Sequence, residues 1–275
     1  MYITLMPFAK KWFGRSISDE THSSEFSRDY YNNNPAIAEC FAEAHKATIQ
    51  YGKNDDEHAG EQFYTQNTRT IAHMFIKQQF DSINSLNWLV GKENFYEQVR
   101  RVRDICESGI PSIQNYYERC LHVSGGLSSA LKSIFDSNVL LQAQIHYYCA
   151  KGMVLLCDAV EKCESESWKE AFILTGDSAA MFDNANNAMR QSEHGVWNGF
   201  YYNDCLANVK HSAYTIKKMR GVIRELGDNA GHDKWHRDAL YSPEDRKVIM
   251  ITVFENHLTD EELYLKMKEN QQTGK

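Results

Sequence analysis

Proline is scarce in this chain, with four in 275 residues. It removes a backbone N–H and breaks the interior of a helix, so its scarcity favours long uninterrupted helices. Three of the four, Pro35, Pro111 and Pro243, stand where we expect a helix to begin, because proline is tolerated in the first helical turn. The sequence therefore predicts an all-α fold, built as a multi-helix bundle.

The sequence also lacks the signatures of several common functional classes. It has no Gly-rich phosphate loop, no P-loop lysine and no GxSxG motif, which argues against nucleotide-dependent enzymes and α/β-hydrolases. The formal net charge is −7, and lysine and arginine are scattered among acids, so no nucleic-acid partner is predicted. No apolar run approaches the roughly 20 residues that span a bilayer, so no membrane partner is predicted.

Cysteine pairs of the CxxC type are absent. The seven cysteines are an odd number, which indicates reduced thiols in a cytoplasmic protein rather than a disulfide framework. His232 and His236 are four residues apart, but they lack the adjacent glutamate that accompanies such a pair in zinc proteases. We therefore predict neither a metal nor a cofactor.

Apolar residues recur at helical spacing along most of the chain. The patterns predict helices over residues 18–31, 35–51, 59–80, 93–107, 111–123, 128–164, 168–191, 209–226 and 259–268. The longest, 128–164, is one long helix or a helix pair, and Gly152 is the candidate position for a bend. Residues 246–254 are rich in β-branched side chains and predict a short extended element. We expect a helical bundle domain over 1–240, on which 241–275 packs as the extended segment plus a final helix.

Polar residues interrupt the apolar pattern of 128–164 at Gln142, Gln144 and His146. Buried amide and imidazole groups need hydrogen-bond partners whatever the function of a protein. We therefore interpret these three as hydrogen-bonded residues of the core or its boundary, and we assign no ligand-binding role to them.

The most informative stretch runs from Glu193 to Cys205, between two long helical patterns. It combines acids, amides, a histidine and four aromatic residues with two glycines. Gly195 and Gly199 each lower helix propensity by roughly 1 kcal/mol relative to alanine, so a break between helices is predicted. Such breaks carry much of the binding chemistry of proteins. The alternative is that the aromatic side chains only fill the space between helix ends.

Carboxylates and aromatic rings lie close together in this stretch, as a sugar subsite requires, since rings stack on apolar sugar faces while acids and amides bind hydroxyl groups. The candidate ligand-binding residues are Glu193, Trp197, Tyr201, Asn203 and Asp204. Glu193 and Asp204 could instead act as the carboxylate pair of a glycosidase if they were held about 5 to 9.5 Å apart.

A second candidate group lies in the helical pattern of residues 59–80. Arg69 and His73 are four residues apart and share one helix face. With Glu61 and Tyr64 nearby, they could line a polar cleft and contribute to the same ligand-binding site. The alternative is an ordinary solvated helix face.

Four parts of the sequence resemble, in the same order, the helical region of proteins related to glycoside hydrolase family 115, which contains xylan α-1,2-glucuronidases. The matching segments are AGEQFY (59–64) with RTIAH (69–73), LQAQIH (141–146), EHGVWNGFYYNDCL (193–206) and ENHLTDEEL (255–263). In that family the catalytic carboxylates lie in a barrel that precedes the helical domain. The alternating strand and helix pattern of about 200 residues that such a barrel needs is absent here. We therefore assign no catalytic residue.

The resemblance implies an accessory helical domain of a glycoside hydrolase related to α-glucuronidases, which act on side chains of plant polysaccharides. The expected partners are a carbohydrate or a catalytic barrel domain or subunit, and a homo-oligomer is expected as well. One alternative is a helical scaffold or dimerisation module without carbohydrate activity. Another is that the chain is itself an enzyme that uses Glu193 and Asp204 as its catalytic pair.

Overall fold

A computed structural model describes residues 27–28, 31–47, 61–80, 94–202, 208–227 and 258–273, and the structural statements below concern these residues. Within these ranges the chain is helical and contains no strand, which confirms the predicted all-α bundle. The extended element predicted for 246–254 lies outside the described residues, as does most of the helix predicted for 18–31.

The helices follow one another with short connections wherever the described ranges are continuous. Their bounds are α1 Pro35–Lys46, α2 Glu61–Ile76, α3 Phe95–Gly125, α4 Ser129–Phe135, a π-helical turn Asp136–Leu140, α5 Leu141–Glu164, α6 Trp168–Gln191, α7 Val209–Gly227 and α8 Asp260–Thr273. The most extensive packing is between α5 and α6. Helix α7 packs on α6 and α2, and α3 packs on α5 and α1.

Local capping explains where three helices begin. The side chain of Asn34 accepts a hydrogen bond from the N–H of Ala36, and Pro35 occupies the first turn of α1. Asn94 and Glu97 form a reciprocal capping box at the start of α3. Helix α8 follows Thr259, whose hydroxyl accepts from the N–H of Glu262 at 3.2 Å. This capping box begins the final helix at the position predicted from the sequence.

Pro111 lies inside α3 and does not begin a new helix, so the division into helices 93–107 and 111–123 is wrong. Proline cannot donate a hydrogen bond to the carbonyl of Glu107, four residues earlier. Both residues are exposed, so water can satisfy that carbonyl. The apolar face of α3 continues across the proline, from Cys106 to Ile113, and its burial holds the two halves in one helix.

A π-helical turn interrupts the helical run from Ser129 to Glu164, which was predicted as one long helix or a helix pair. It covers Asp136–Leu140 and inserts a wider turn between α4 and α5. The carboxylate of Asp136 accepts from Ser124 at 2.5 Å and pairs with Lys132 at 2.7 Å, which ties the turn to the end of α3. Such turns are frequent at functional sites, because they displace side chains from regular helical positions.

The centre of the bundle is the contact between α5 and α6. The hydroxyl of Ser178 donates to the carbonyl of Gly152 at 2.6 Å, and the fully buried ring of Phe182 lies against the same glycine. Six of the seven cysteines lie in the described residues, and all six are buried. They serve as small apolar residues of the core. No described helix combines the length and the apolar content that crossing a membrane requires.

Helix α8 is held on the bundle by charged contacts with α6 and α7. Arg220 pairs with Glu261 at 2.7 Å, and Lys268 pairs with Asp177 at 3.0 Å. Asp177 also accepts a hydrogen bond of 2.6 Å from the hydroxyl of Tyr264, whose ring is buried. Arg220 is buried, whereas the side chain of Glu261 is 52% exposed, so the pair joins the interior to the surface of α8.

Candidate functional site

A tight loop follows α6 and occupies the position of the predicted break between helices. Its backbone makes a 3₁₀ turn over Gly195–Trp197, with left-handed φ angles of +53° at Gly195 and +80° at Gly199. Side chains other than glycine rarely adopt these angles. The two glycines therefore let the chain fold back on itself within a few residues and present the side chains between them.

The carboxylate of Glu193 holds this loop in shape. It accepts hydrogen bonds from the N–H groups of Tyr201 at 2.8 Å and Gly199 at 3.1 Å, and it pairs with Arg190 at 2.6 Å. The side chain is only 3% exposed. Glu193 is therefore a positioning residue that fixes the loop backbone, and its oxygens are already occupied by the loop itself.

Three of the four aromatic rings of the loop lie at the surface. Trp197 is 57% exposed and Phe200 is 56% exposed, and the two rings meet edge to face at 5.5 Å. Tyr202 is exposed as well, whereas Tyr201 packs against the core. Of the four rings, only Tyr201 therefore fills the space between helix ends, which was the alternative to a binding role.

Trp197, Phe200 and Tyr201 form one wall of a groove of about 600 Å³, which we call the aromatic groove. The opposite wall comes from α4, the π-helical turn and α5. Its polar and apolar lining residues on that side are Ser133, Ile134, Ser137, Asn138 and Gln142. His194 lines this groove and also a neighbouring hollow of about 340 Å³ that contains Asp136 and Gln144. The groove thus offers exposed rings on one side and hydroxyl and amide groups on the other.

The remaining residues of the predicted site are not brought to this groove. Asn203 and Asp204 lie outside the described residues, so the proposed carboxylate pair of Glu193 and Asp204 stays a prediction. Glu61 is the first residue of α2, and its side chain is outside the described part.

Arg69 and His73 line a second groove, of about 620 Å³, together with His211. We call it the cationic groove. It lies between α2 and α7, and its lining shares no residue with that of the aromatic groove. The two residues share one helix face, as expected, but the structure places them apart from Trp197.

Tyr64 is buried in the core and does not line a cleft. Its hydroxyl lies 3.2 Å from Nδ1 of His146, and Nε2 of His146 lies 2.9 Å from the carbonyl of Ala47. A carbonyl only accepts, so Nε2 carries the proton and Nδ1 accepts from Tyr64. The neutral ring of His146 therefore joins α2 and α5 to the end of α1, which confirms the interpretation of this histidine as a hydrogen-bonded residue of the core boundary.

This arrangement predicts a specific loss of stability in acid. Burial lowers the pKa of His146 to about 4, below the ordinary value of 6.5. Between these pH values the unfolded chain binds more protons than the folded one, so the free energy of unfolding falls as the pH falls from 6.5 to 4. The difference in pKa corresponds to at most roughly 3 kcal/mol, and to less because the ring is partly exposed.

Urea unfolding of the wild type and of His146→Gln at a series of pH values measures this effect. Glutamine does not titrate, so the variant is expected to lose less stability than the wild type between pH 6.5 and 4. The carboxylates that titrate in the same range are common to both proteins and cancel in the comparison. Equal pH dependence in the two proteins would show that His146 is protonated in the folded state without penalty.

The sequence did not point to the wall of the aromatic groove that faces the rings. Asp136, Ser137 and Asn138 are three consecutive polar residues within an apolar helical pattern. This interruption is the feature of the sequence that could have indicated a polar wall here. His211 was likewise not assigned to a site with Arg69, because residues 142 positions apart are joined only by the packing of α7 on α2.

The described residues contain no group of three or more His, Cys, Asp or Glu side chains that could hold a metal ion. His232 and His236 lie outside the described ranges. Comparisons with protein-family models, with curated proteins and with solved structures find no match for the chain. The resemblance to the helical region of glycoside hydrolase family 115 therefore stays an interpretation of the sequence motifs.

Proposed function

We propose that this chain is a non-catalytic helical module that binds carbohydrate, as an accessory domain of a glycoside hydrolase related to α-glucuronidases. The observation that supports this proposal best is the pair of exposed rings, Trp197 and Phe200, on a loop whose backbone is fixed by Glu193. Exposed aromatic rings on a preorganised loop bind a ligand with little loss of conformational entropy.

The composition of the aromatic groove suits a sugar. The faces of a pyranose ring carry C–H groups that pack on aromatic rings, while its hydroxyl groups need hydrogen-bonding partners. Trp197 and Phe200 supply the rings, and Ser133, Asn138 and Gln142 supply hydroxyl and amide groups across the groove. A volume of about 600 Å³ can hold a short oligosaccharide segment.

A binding role suits the described part of this groove better than catalysis. Glycosidases use two carboxyl groups on either side of the scissile bond. Glu193 is the one carboxylate among the described residues that line the aromatic groove, and its oxygens are engaged by the loop. A catalytic barrel domain or subunit would then supply the carboxylates of the reaction.

Replacing Trp197 with alanine is expected to weaken sugar binding at least about tenfold, or roughly 1.4 kcal/mol, because the largest stacking surface is lost. The measurement is calorimetric titration of the purified chain with glucuronic acid and short glucuronoxylan fragments. The thermal midpoint is expected to stay nearly unchanged, because substitutions at exposed positions change stability by about 0.5 kcal/mol or less.

Tyr214→Ala is the matched control. Tyr214 is an aromatic residue of similar exposure on α7, and it does not line the aromatic groove. The control is expected to bind the fragments as the wild type does. Equal binding by Trp197→Ala and the wild type would refute the assignment of the site, and no binding by the folded wild type would refute a sugar-binding role for the chain alone.

A second candidate function is a protein interface at the same loop, as in a scaffold or a dimerisation module. Val196, which directly precedes Trp197 in the chain, is 93% exposed, and Ile134 is exposed across the groove from Trp197 and Phe200. Contiguous apolar patches of this kind are typical of protein interaction sites. Sedimentation of the wild type as a dimer and of Val196→Asp as a monomer, without sugar binding by either, would favour this function.

A further inference from the structure

The cationic groove is lined by basic and neutral residues. Helix α2 contributes Arg69 and His73, Lys77 directly follows that helix, and helix α7 contributes His211. The remaining lining residues are neutral, namely Gln66, Thr70, Met74 and Gln79. Although the whole chain carries a net charge of −7, this groove has no acidic lining residue among those the structure describes.

The cations of this groove form no ion pair with a described carboxylate. Among the described residues, no carboxylate lies within 4 Å of the charged groups of Arg69, Lys77 or Lys218. Several basic side chains elsewhere are paired, as in Arg100 with Glu164, Lys217 with Asp183 and Lys268 with Asp177. No carboxylate of the described residues therefore neutralises the positive charge that faces the groove.

The pKa of His73 is affected by the positive charges around this groove. Burial lowers its pKa, and the positive charges of Lys77, His211, Lys218 and Arg69 lower the pKa further. Arg69 lies on α2, Lys77 directly follows α2, and His211 and Lys218 lie on α7; of the four, only Lys218 does not line the groove. An anion bound among them would oppose their effect, so it would favour the protonated form of His73.

We propose that the cationic groove binds a small ligand with two or more negative charges, of the phosphate monoester or diphosphate class. Nε of Arg69 donates to the carbonyl of Thr65 at 3.1 Å, which fixes the guanidinium and leaves its outer N–H groups as a fork for phosphate oxygens. Lys77 adds a point charge, and Thr70 adds a hydroxyl donor. The groove, of about 620 Å³, is large enough for such a ligand.

A small ligand fits these observations better than a polyanionic macromolecule. The positive charges are confined to one concave surface between α2 and α7. A nucleic acid or an anionic membrane needs an extended basic face, and the net charge of −7 opposes association with either. The site is separate from the aromatic groove and does not depend on the proposed function.

Titration of the full chain with sodium pyrophosphate, inorganic phosphate and glucuronate at low ionic strength tests the proposal. The ring signals of His73 and His211, followed by ¹H–¹³C NMR, are expected to shift saturably with pyrophosphate and more weakly with phosphate. The pKa of His73 is expected to rise on binding. Glucuronate carries a single charge and is expected to bind at least about tenfold more weakly than pyrophosphate.

Arg69→Gln and Lys77→Gln are each expected to weaken pyrophosphate binding about tenfold or more, because each removes a charge-assisted contact. Lys162→Gln is the matched control, since Lys162 is an exposed lysine of α5 that does not line the groove. Trp197→Ala is expected to leave pyrophosphate binding unchanged, which separates this site from the aromatic groove.

Two results would overturn the proposal. One is the absence of saturable shifts at His73 and His211 in the folded wild type. The other is an equal effect of Lys162→Gln and Arg69→Gln, which would indicate an adventitious ion only, attracted by general surface charge. Much tighter binding of a long polyanion such as heparin than of pyrophosphate would contradict the proposal, because it would indicate a macromolecular ligand and not a small one.

Discussion

Replacing Gly152 with valine is expected to lower the free energy of unfolding by roughly 3 kcal/mol or more. A Cβ atom at this position would lie 2.7 Å from Cε2 of Phe182 and 3.2 Å from Cβ of Met181. Phe182 is fully buried and cannot turn toward solvent. The hydrogen bond from Ser178 to the carbonyl of Gly152 fixes α5 and α6 at this close approach, so the helices must separate to admit a side chain.

Urea unfolding of the wild type, Gly152→Ala and Gly152→Val, followed by circular dichroism, measures the cost of this contact. Gly125→Ala is the matched control, because nothing lies within 4 Å of a Cβ at the end of α3. That control is expected to stabilise the protein by about 0.5 to 1 kcal/mol, since alanine favours the helix over glycine. Combining Gly152→Ala with Phe182→Leu is expected to recover part of the loss. Unchanged stability of Gly152→Val would contradict the packing of α5 against α6.

The helices could be predicted from the sequence because the signals for them are local. Apolar spacing placed α5 and α6, and Thr259 as an N-cap followed by three acids placed the start of α8. Gly152 was the candidate position for a bend on propensity alone. Its contact with Phe182, on the neighbouring helix, depends on packing that the sequence of α5 does not contain.

The orientation of the candidate site residues could not be predicted in the same way. Tyr64 and Trp197 both lie among polar residues in the sequence, yet Tyr64 is buried against His146 and Trp197 is exposed. An aromatic side chain suits both environments, so its type does not decide between them. The aromatic groove also needs the π-helical turn near Asn138, about sixty residues before Trp197, and only the packing of the bundle brings the two together.

The continuity of α3 across Pro111 is a further case in which packing overrides a local preference. Proline disfavours a helix interior by about 3 kcal/mol. The buried side chains of Cys106 and Ile113 flank this proline on the apolar face of α3. Burying such side chains contributes about 1.5 to 3 kcal/mol each, so a few of them offset the local cost.

Replacing Glu261 with alanine is expected to detach α8 from the bundle. Arg220 is 3% exposed and lies between the rings of Phe172 and Tyr264, at 5.6 and 5.2 Å from their centroids. Its Nη2 donates to Glu261 at 2.7 Å, and its Nε has no hydrogen-bond partner among the described residues. Removing the carboxylate therefore leaves a buried cation with only ring contacts. Breaking a fully buried pair costs about 3 to 5 kcal/mol. The expected cost here is smaller, because the side chain of Glu261 is 52% exposed.

Detachment of α8 would expose Arg220 to water and remove the cost of burying its charge. The loss of stability is therefore limited to the free energy that holds α8 on α6 and α7. We therefore expect local detachment and not global unfolding. Hydrogen exchange measured by mass spectrometry is expected to lose protection across residues 260–273, while α5 and α6 keep theirs. Glu225→Ala, which removes an exposed glutamate of α7, is the matched control and is expected to change neither region.

A second substitution separates the charge from the lost contact surface. In Glu261→Ala combined with Arg220→Met, no buried charge remains, and the methionine side chain can still pack between Phe172 and Tyr264. Replacing a buried ion pair with an apolar residue is often neutral or stabilising. Protection of residues 260–273 is therefore expected to return in the double variant. Wild-type protection in Glu261→Ala alone would mean that the rings of Phe172 and Tyr264 suffice to hold the charge of Arg220 in the interior.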